Sequence, residues 1–174
     1  MILTALDIAT STGVCIGEVG KRPLLETWNL RDGGLSRPQR LRCLMEALFK
    51  HMSTFGAHTV VYEAPVPLSF MMKMGASEDT IAMLRGAIGV VEAVCSPNVE
   101  ALPAPKARHS VLGWYVNKSG KNTKRMVVAG VRALGFDPQD DNQADAYVLW
   151  AYKSALLNPR LAVNYTPLFR GDNG

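Results

Sequence analysis

The feature that most constrains this chain is an apolar segment near its start that contains a single carboxylate. Residues 3–9 read LTALDIA, and the turn residues TSTG follow at 10–13. A strand that is buried on both faces of a sheet normally reads as a continuous apolar run. Because an isolated buried carboxylate costs several kcal/mol unless it is paired or binds a metal ion, Asp7 needs a partner. The alternative is that Asp7 lies at a strand end in solvent.

The size of the chain favours one folded domain. Its 174 residues are 48% hydrophobic, which is enough to bury a sizeable core without disulfides or structural metals. We expect the domain to span 1–157 and an extended tail to span 158–174. The three cysteines have no metal-binding or disulfide spacing, and no apolar run is long enough to cross a bilayer. These features predict a cytoplasmic protein with no membrane partner.

Periodicity and turn residues predict an α/β fold. Strands are expected at 3–9, 14–19, 23–30, 59–63 and 99–102, and helices at about 37–55, 77–95, 122–134 and 140–157. The first three strands are hairpin-linked and the last two follow helices. The order therefore predicts a five-stranded mixed sheet, three strands antiparallel and two parallel, flanked by helices. Residues 68–75 read as an apolar loop.

Two further carboxylates sit in apolar surroundings. Glu63 ends the fourth strand, and Asp145 is the only charge in the apolar stripe of the last helix. Asp141 and Asn142 precede Asp145 by four and three residues and share its face. If the first and fourth strands are neighbours, these oxygens converge with Asp7. Hard oxygen ligands favour Mg²⁺ or Mn²⁺, and a pair of such ions promotes displacement at phosphorus.

A basic stretch follows the fifth strand. The net charge is +4, and no acidic residue occurs between Ala101 and Phe136. Trp114 and Tyr115 lie among the cationic residues of this stretch, which are Lys106, Arg108, Lys118, Lys121, Lys124, Arg125 and Arg132. Basic residues interleaved with aromatic ones are typical of contact with a nucleic-acid backbone. Lys124 extends the core stripe of its helix and either snorkels to solvent or points at anions.

The order of these elements resembles the RuvC family of Holliday-junction resolvases over about 2–155. The resemblance is carried by Asp7 with Thr12 and Gly13, the strand Val60 to Glu63, Leu84-Arg85-Gly86, the run from Arg108 through Gly113 to Lys124, and Asp145-Ala146. It implies a ribonuclease-H-like fold, a homodimer and a role in DNA recombination and repair. The implied reaction is a Mg²⁺-dependent pair of nicks across a four-way DNA junction that leaves 5′-phosphate and 3′-hydroxyl ends.

The resemblance also implies roles for individual residues. Asp7, Glu63 and Asp145 would bind two metal ions and be catalytic together with Lys124. The family's fourth ligand position holds Asn142 here, so either its carbonyl oxygen is a ligand, or Asp141 substitutes, or the second metal binds weakly. Phe70 would push into the junction. The implied DNA-binding residues are Phe70, Lys73, Lys106, Arg108, Lys118, Lys121, Lys124 and Arg125.

Three other functions remain open from the sequence. A nuclease of the same fold could cleave flaps or other branches, and a non-catalytic DNA-binding relative could keep the fold without an active site. The turn at 10–13 also looks like the first phosphate loop of sugar-kinase and actin-like ATPases, which need two such domains. The loop after Glu63 is longer than is usual in the family, and the usual Asp-Pro-Gly after the first strand is absent, which favours a divergent, phage-type member.

Overall fold

A mixed five-stranded sheet forms the centre of the molecule. The computed structural model describes residues 1–30, 32–113 and 123–162. The strands are β1 (Ile2–Asp7), β2 (Ser11–Glu18), β3 (Leu24–Asn29), β4 (Thr59–Glu63) and β5 (Val99–Leu102). They lie in the order β3-β2-β1-β4-β5, with β1 to β3 antiparallel and with β4 parallel to both β1 and β5. The predicted sheet is confirmed.

Six helices are described around the sheet. They are α1 (Arg37–Phe55), α2 (Leu68–Lys73), α3 (Glu78–Cys95), α4 (Ala104–Leu112), α5 (Thr123–Ala133) and α6 (Asp141–Leu157). Four of them match the predicted helices. The expectation of a loop throughout 68–75 was wrong, because 68–73 form the short helix α2. The helix α4 was not predicted, since Pro103 and Pro105 at its start suggested an irregular segment, although proline is well tolerated in a first turn.

The helices form one layer on each face of the sheet. On one face, α1 and α3 bury an apolar core that includes Leu6, Leu48 and Val91. On the other face, α4, α5 and α6 bury a second core around Trp150. The indole Nε1 of Trp150 donates a hydrogen bond of 3.0 Å to the backbone oxygen of Leu3. The sheet is therefore buried on both sides, as the apolar β1 sequence predicts.

The helix α6 crosses the sheet at very close range. A Cβ atom placed on Gly13 in β2 would lie only 2.0 Å from the backbone oxygen of Asn142. Any side chain at position 13 would therefore displace the first turn of α6. Because Gly13 pairs with Asp7 in the antiparallel ladder, this contact brings the start of α6 to the end of β1. The candidate site lies at that meeting point.

Polar contacts fix the first turn of α6 to the sheet. Asp140 caps the helix, and its Oδ1 accepts a 2.7 Å hydrogen bond from the backbone N–H of Gln143. The Oδ2 of Asp140 accepts a second bond, of 2.8 Å, from the hydroxyl of Thr27 in β3. The amide of Gln143 also donates to Thr27, at 3.0 Å. These bonds anchor both the direction and the depth of α6.

The described part of the chain ends shortly after α6. After Leu157, residues Pro159–Leu161 form one 3₁₀ turn. Residues 163–174 lie outside the described part, so the predicted extended tail stays a prediction, as does the domain boundary at 157. In the described ranges, no helix combines the length and the apolar character needed to cross a membrane.

Candidate functional site

Asp7 and Glu63 end neighbouring parallel strands. Leu6 pairs with Tyr62 in the register between β1 and β4, so Asp7 and Glu63, which each follow directly, lie side by side at the same edge of the sheet. The two carboxyl groups are close enough that the charge of Glu63 raises the pKa of Asp7. The strand pairing alone therefore forces these two acidic groups together.

Asp145 reaches the same place from α6. It lies one turn into the helix, on the side that faces the sheet, and is only 9% exposed. Its charge acts on Asp7 and on Glu63, and in both cases it raises their pKa values. The structure thus brings together the three carboxylates that were singled out in the sequence, from β1, β4 and α6. They are 56 and 82 residues apart along the chain.

Arg108 on α4 closes one side of this cluster. Both its Nε and an Nη atom lie 2.8 Å from Oδ1 of Asp145. The side chains of Arg108 and Asp145 are 21% and 11% exposed, so water screens this pair only weakly. Arg108 also interacts with the charges of Glu63 and Asp7. Arg108 therefore places a half-buried positive charge against all three carboxylates.

Lys124 and Asp141 form an outer ion pair beside the cluster. Lys124 lies in the first turn of α5, and its Nζ contacts Oδ2 of Asp141. The side chain of Lys124 is 74% exposed, and its charge acts on Asp145 and Asp7 as well as on Asp141. Lys124 therefore points at anions, which was one of the two alternatives in the sequence, and it remains accessible to solvent.

Asp141 and Asn142 begin α6 on the rim of the site. Asp141 interacts with Lys124 and with Asp145. The half-buried side chain of Asn142 makes no hydrogen bond with the described residues. Asn142 is thus free to turn its carbonyl oxygen, and Asp141 is held by a cation. Both residues stay candidates for the fourth ligand.

Burial and mutual repulsion shift the pKa values of the cluster. Burial, followed by the charges of Asp145 and Glu63, raises the pKa of Asp7 to about 8. Burial also raises the pKa of Glu63, against the attraction of Arg108, and it raises the pKa of Asp145, against the hydrogen bond from Arg108. The buried Asp145 and the half-buried Asp7 and Glu63, with the one half-buried cation Arg108, carry more negative charge than they can balance. The cluster therefore favours a proton or a metal cation.

The carboxylate oxygens of the cluster are chemically suited to a hard divalent cation. In the described residues, no group of three or more Asp, Glu, His or Cys side chains is arranged ready to hold a metal ion. Arg108 contacts one oxygen of Asp145. Carboxylate oxygens are nevertheless the ligands that Mg²⁺ prefers. An ion held by these oxygens would compete with Arg108 for Asp145.

The remaining predicted contact residues surround the site on the surface. Phe70 on α2 is 54% exposed, and Lys73, Lys106 and Arg125 are exposed on α2, α4 and α5. A groove of about 520 Å³ runs along α5 between Lys124, Arg125 and Arg132. The predicted contacts Lys118 and Lys121 lie in 114–122, outside the described residues. The described basic side chains thus lie on α2, α4 and α5, and the last two of these helices also carry Arg108 and Lys124.

One feature of the site was missed in the sequence. An apolar cavity of about 200 Å³ opens directly beside Asp7 and Glu63, with Arg85 of α3 at its rim. The sequence predicts no individual role for Arg85 within the Leu84-Arg85-Gly86 segment. Its position follows from α3 packing closely on α1, where a Cβ at Gly86 would lie 2.8 Å from a methyl group of Leu41. Gly86 in that segment was the sequence signal for the close packing of α3 on α1.

Comparison with solved structures shows the fold. The chain is similar to Thermus thermophilus RuvC, with a TM-score of 0.65 and 18% sequence identity, over 92% of this chain and 96% of the other. It is equally similar to T. thermophilus RuvC in complex with a Holliday junction substrate, with a TM-score of 0.66, 15% identity and the same coverage. No family model matches the sequence, and no curated protein matches it. The chain therefore has the ribonuclease-H-like fold of RuvC, with a divergent sequence.

Proposed function

We propose that this protein is a metal-dependent endodeoxyribonuclease that cuts branched DNA, with four-way junctions as its principal substrate. The observation that carries the proposal is the convergence of the half-buried Asp7 and Glu63 with the buried Asp145, which repel one another beside Arg108 and Lys124. Holding several acids together out of water costs free energy, and a cluster of acids with raised pKa values is typical of a functional site. Phosphodiester hydrolysis is the use that this set of groups fits best.

The three carboxylates would hold two Mg²⁺ or Mn²⁺ ions, with Asp141 or Asn142 as the fourth ligand. When bound, such ions supply an activated water and stabilise the leaving oxygen. The protein's own residues position the phosphate. Arg108 offers planar, paired N–H donors at the centre of the cluster and suits a phosphate oxygen once a metal ion balances Asp145. Lys124, which is exposed beside it, would neutralise the charge that develops on the phosphate.

The surrounding surface fits DNA as the partner. Lys73, Lys106 and Arg125 are exposed on three helices next to the carboxylates, and Lys118 and Lys121 belong to the same basic stretch of sequence. Backbone contacts of this kind supply affinity without reading base sequence. Phe70 is exposed on the short helix after β4 and would stack on a base at the branch point. No nucleotide cofactor is part of the proposal.

The preference for four-way junctions and the homodimer belong together. Among the described residues there is one carboxylate cluster per chain, and a four-way junction needs two symmetric nicks to be resolved. A two-fold dimer would present two identical sites in matching orientation. The fold that this chain shares with T. thermophilus RuvC, which has been solved in complex with a Holliday junction substrate, supports that substrate. We place the reaction in the cytoplasm, consistent with three free cysteines.

A single cleavage experiment tests the proposal. A labelled mobile four-way junction is incubated with Mg²⁺ or Mn²⁺ beside a 5′-flap, a bubble and a linear duplex. We expect paired nicks in the junction, products that ligase can rejoin, and no cleavage with EDTA. Asp7→Asn should be inactive, whereas Glu46→Gln, an exposed carboxylate on α1, should cleave normally.

Each other outcome names another function. Faster cleavage of the flap or the bubble than of the junction would identify a branch nuclease of the same fold. Tight junction binding without cleavage under any metal condition would identify a non-catalytic DNA-binding protein. Light scattering of the free protein and of its junction complex would decide whether two copies act together.

A further inference from the structure

One row of paired residues crosses three strands of the sheet beneath the start of α6. Asp7 pairs with Gly13 in the ladder between β1 and β2, and Gly13 pairs with Thr27 in the ladder between β2 and β3. Directly paired residues of antiparallel strands place their side chains on the same face of the sheet. Thr27, on the edge strand β3, therefore faces the same helix layer as Asp7.

The hydroxyl of Thr27 is the centre of a closed set of hydrogen bonds. It donates to Oδ2 of Asp140 at 2.8 Å and accepts from the side-chain amide of Gln143 at 3.0 Å. Oδ1 of Asp140 accepts from the backbone N–H of Gln143 at 2.7 Å, and the side-chain oxygen of Gln143 accepts from the backbone N–H of Gln139 at 3.0 Å. A hydroxyl group can donate and accept at the same time. At position 27, a residue without a hydroxyl would leave the set incomplete.

These bonds hold the first turn of α6 against the sheet. All three candidate ligands that α6 carries lie in its first five residues. Gly13 lets the backbone of Asn142 come close, since a Cβ there would lie 2.0 Å from the Asn142 oxygen, but a glycine has no side chain to hold the turn in place. The attraction comes from Thr27. Without its hydroxyl, the amide of Gln143, which is only 6% exposed, would lose a partner, and leaving such a buried donor unpaired is costly.

We propose that Thr27 is a positioning residue for the divalent-metal site, because its hydroxyl sets the distance between Asp145 on α6 and Asp7 on β1. The inference rests on the proposed nuclease function. The hydrogen bonds of Thr27 go to Asp140 and Gln143, neither of which is a proposed ligand, so Thr27 acts through the helix. Residues that hydrogen-bond to metal ligands change metal affinity or activity by about 10–100-fold. Thr27 is one step further away, so we expect an effect near the lower end of that range.

The affinity of the free protein for Mn²⁺ tests the inference without cleavage. Thr27→Val keeps the shape and the strand preference of threonine but removes the hydroxyl. We expect the Kd for Mn²⁺, measured by calorimetry, to rise by about 10-fold in Thr27→Val. Thr27→Ser keeps a hydroxyl that can donate and accept in the same way, and it should bind Mn²⁺ as tightly as the wild-type protein.

Thr4→Val is the matched control. Thr4 lies in β1, the strand that carries Asp7, but on the α1 side of the sheet, and it is 1% exposed. Its hydroxyl forms hydrogen bonds of 2.9 and 2.8 Å with Nε2 of His51 and Nε2 of His58. The same substitution therefore removes buried hydrogen bonds and lowers Tm, yet it should leave the Kd for Mn²⁺ unchanged. A general effect of lower stability on metal binding would appear in both valine variants.

A second variant removes the same contact from the helix side. Gln143→Met lacks the amide that donates to Thr27 and should raise the Kd for Mn²⁺ by a similar factor. Because both substitutions break one contact, the double variant with Thr27→Val should bind Mn²⁺ no more weakly than the weaker single variant. Gln143→Met also allows the test to proceed if Thr27→Val does not fold.

Cleavage of the junction gives a further readout. At a Mn²⁺ concentration below saturation, kcat should fall in Thr27→Val, whereas KM for the junction should stay unchanged, because the exposed basic side chains lie on α2, α4 and α5. Raising the Mn²⁺ concentration should recover much of the lost rate. A loss that extra Mn²⁺ does not recover would contradict a role in metal affinity.

The outcomes separate this inference from the proposed function. If Thr27→Val has a lower Tm but the wild-type Kd for Mn²⁺, Thr27 only stabilises the fold, and the nuclease function still stands. An equal rise of the Kd in Thr4→Val, or a double variant whose loss is the product of both single losses, would likewise overturn the role of Thr27. If the wild-type protein neither binds Mn²⁺ nor cleaves any substrate, the proposed function itself is wrong.

Discussion

The contact between Gly13 and α6 gives the sharpest prediction. Gly13→Ala adds one methyl group, which would lie 2.0 Å from the backbone oxygen of Asn142 and 2.8 Å from the backbone nitrogen of Gln143. Backbone atoms cannot rotate away as a side chain can. The φ angle of Gly13 is not in the left-handed region, so the substitution adds no local strain in β2, and its whole cost comes from this contact.

The size of the effect follows from the cost of overpacking. Inserting a methyl group into a well-packed region typically costs 1–3 kcal/mol, and we expect about 3 kcal/mol here because the obstacle is backbone. For a chain of this length, about 3 kcal/mol corresponds to a fall in Tm of about 6–12 °C. Because α6 carries Asp145, a displacement of about 1 Å would also slow cleavage by about 100-fold.

Calorimetry and junction cleavage measure the two effects on the same protein. The matched control is Gly89→Ala on α3, where an added Cβ meets nothing within 4 Å. Replacing a glycine within a helix by alanine should stabilise the protein by roughly 0.5–1 kcal/mol, with normal cleavage. A Gly13→Ala protein with unchanged Tm and unchanged cleavage would refute the close approach of α6 to β2, and with it the placement of Asp145 beside Asp7.

Three further predictions concern single side chains. Asp145→Asn should reduce cleavage by more than about 100-fold, since even residues that only hydrogen-bond to metal ligands contribute about 10–100-fold. Junction affinity, measured by gel shift, should stay equal or rise because Arg108 is released. A parallel loss of binding would contradict this prediction. Lys124→Ala should lower the single-turnover rate more than the affinity, because its charge acts on Asp145; an unchanged rate would show that this charge does not assist the reaction. Burial and the neighbouring His58 lower the pKa of His51 to about 4, so His51 stays neutral in the folded protein, whereas the unfolded chain takes up a proton below pH 6.5. The free energy of unfolding should therefore fall by up to about 1.4 kcal/mol per pH unit between pH 6.5 and 4. Urea titrations of His51→Gln should show a shallower fall over this range than those of the wild type.

The strand and helix pattern of the chain was largely readable from the sequence. The element order and the mixed sheet were predicted from three features: the apolar runs of β1 and β4, the caps Ser77 and Asp140, and the apolar stripes of the long helices. The structure matches this prediction. The two helices that were missed, α2 and α4, are short and begin next to prolines. The apolar residues of α4 are buried only by packing in the folded molecule, and those of α2 stay largely exposed, so periodicity alone carried too little signal.

The sequence by itself determined that Asp7, Glu63 and Asp145 need a common partner, because each is a carboxylate in an apolar pattern that burial penalises. The tertiary structure decided how that need is met. Strand register joins Asp7 to Glu63, the approach of α6 at Gly13 brings Asp145, and Arg108 enters from a helix that the sequence did not predict. The cavity beside Arg85 is likewise a product of packing. Local sequence fixes which groups cannot stay alone, whereas distances between groups far apart in the chain depend on how whole elements pack.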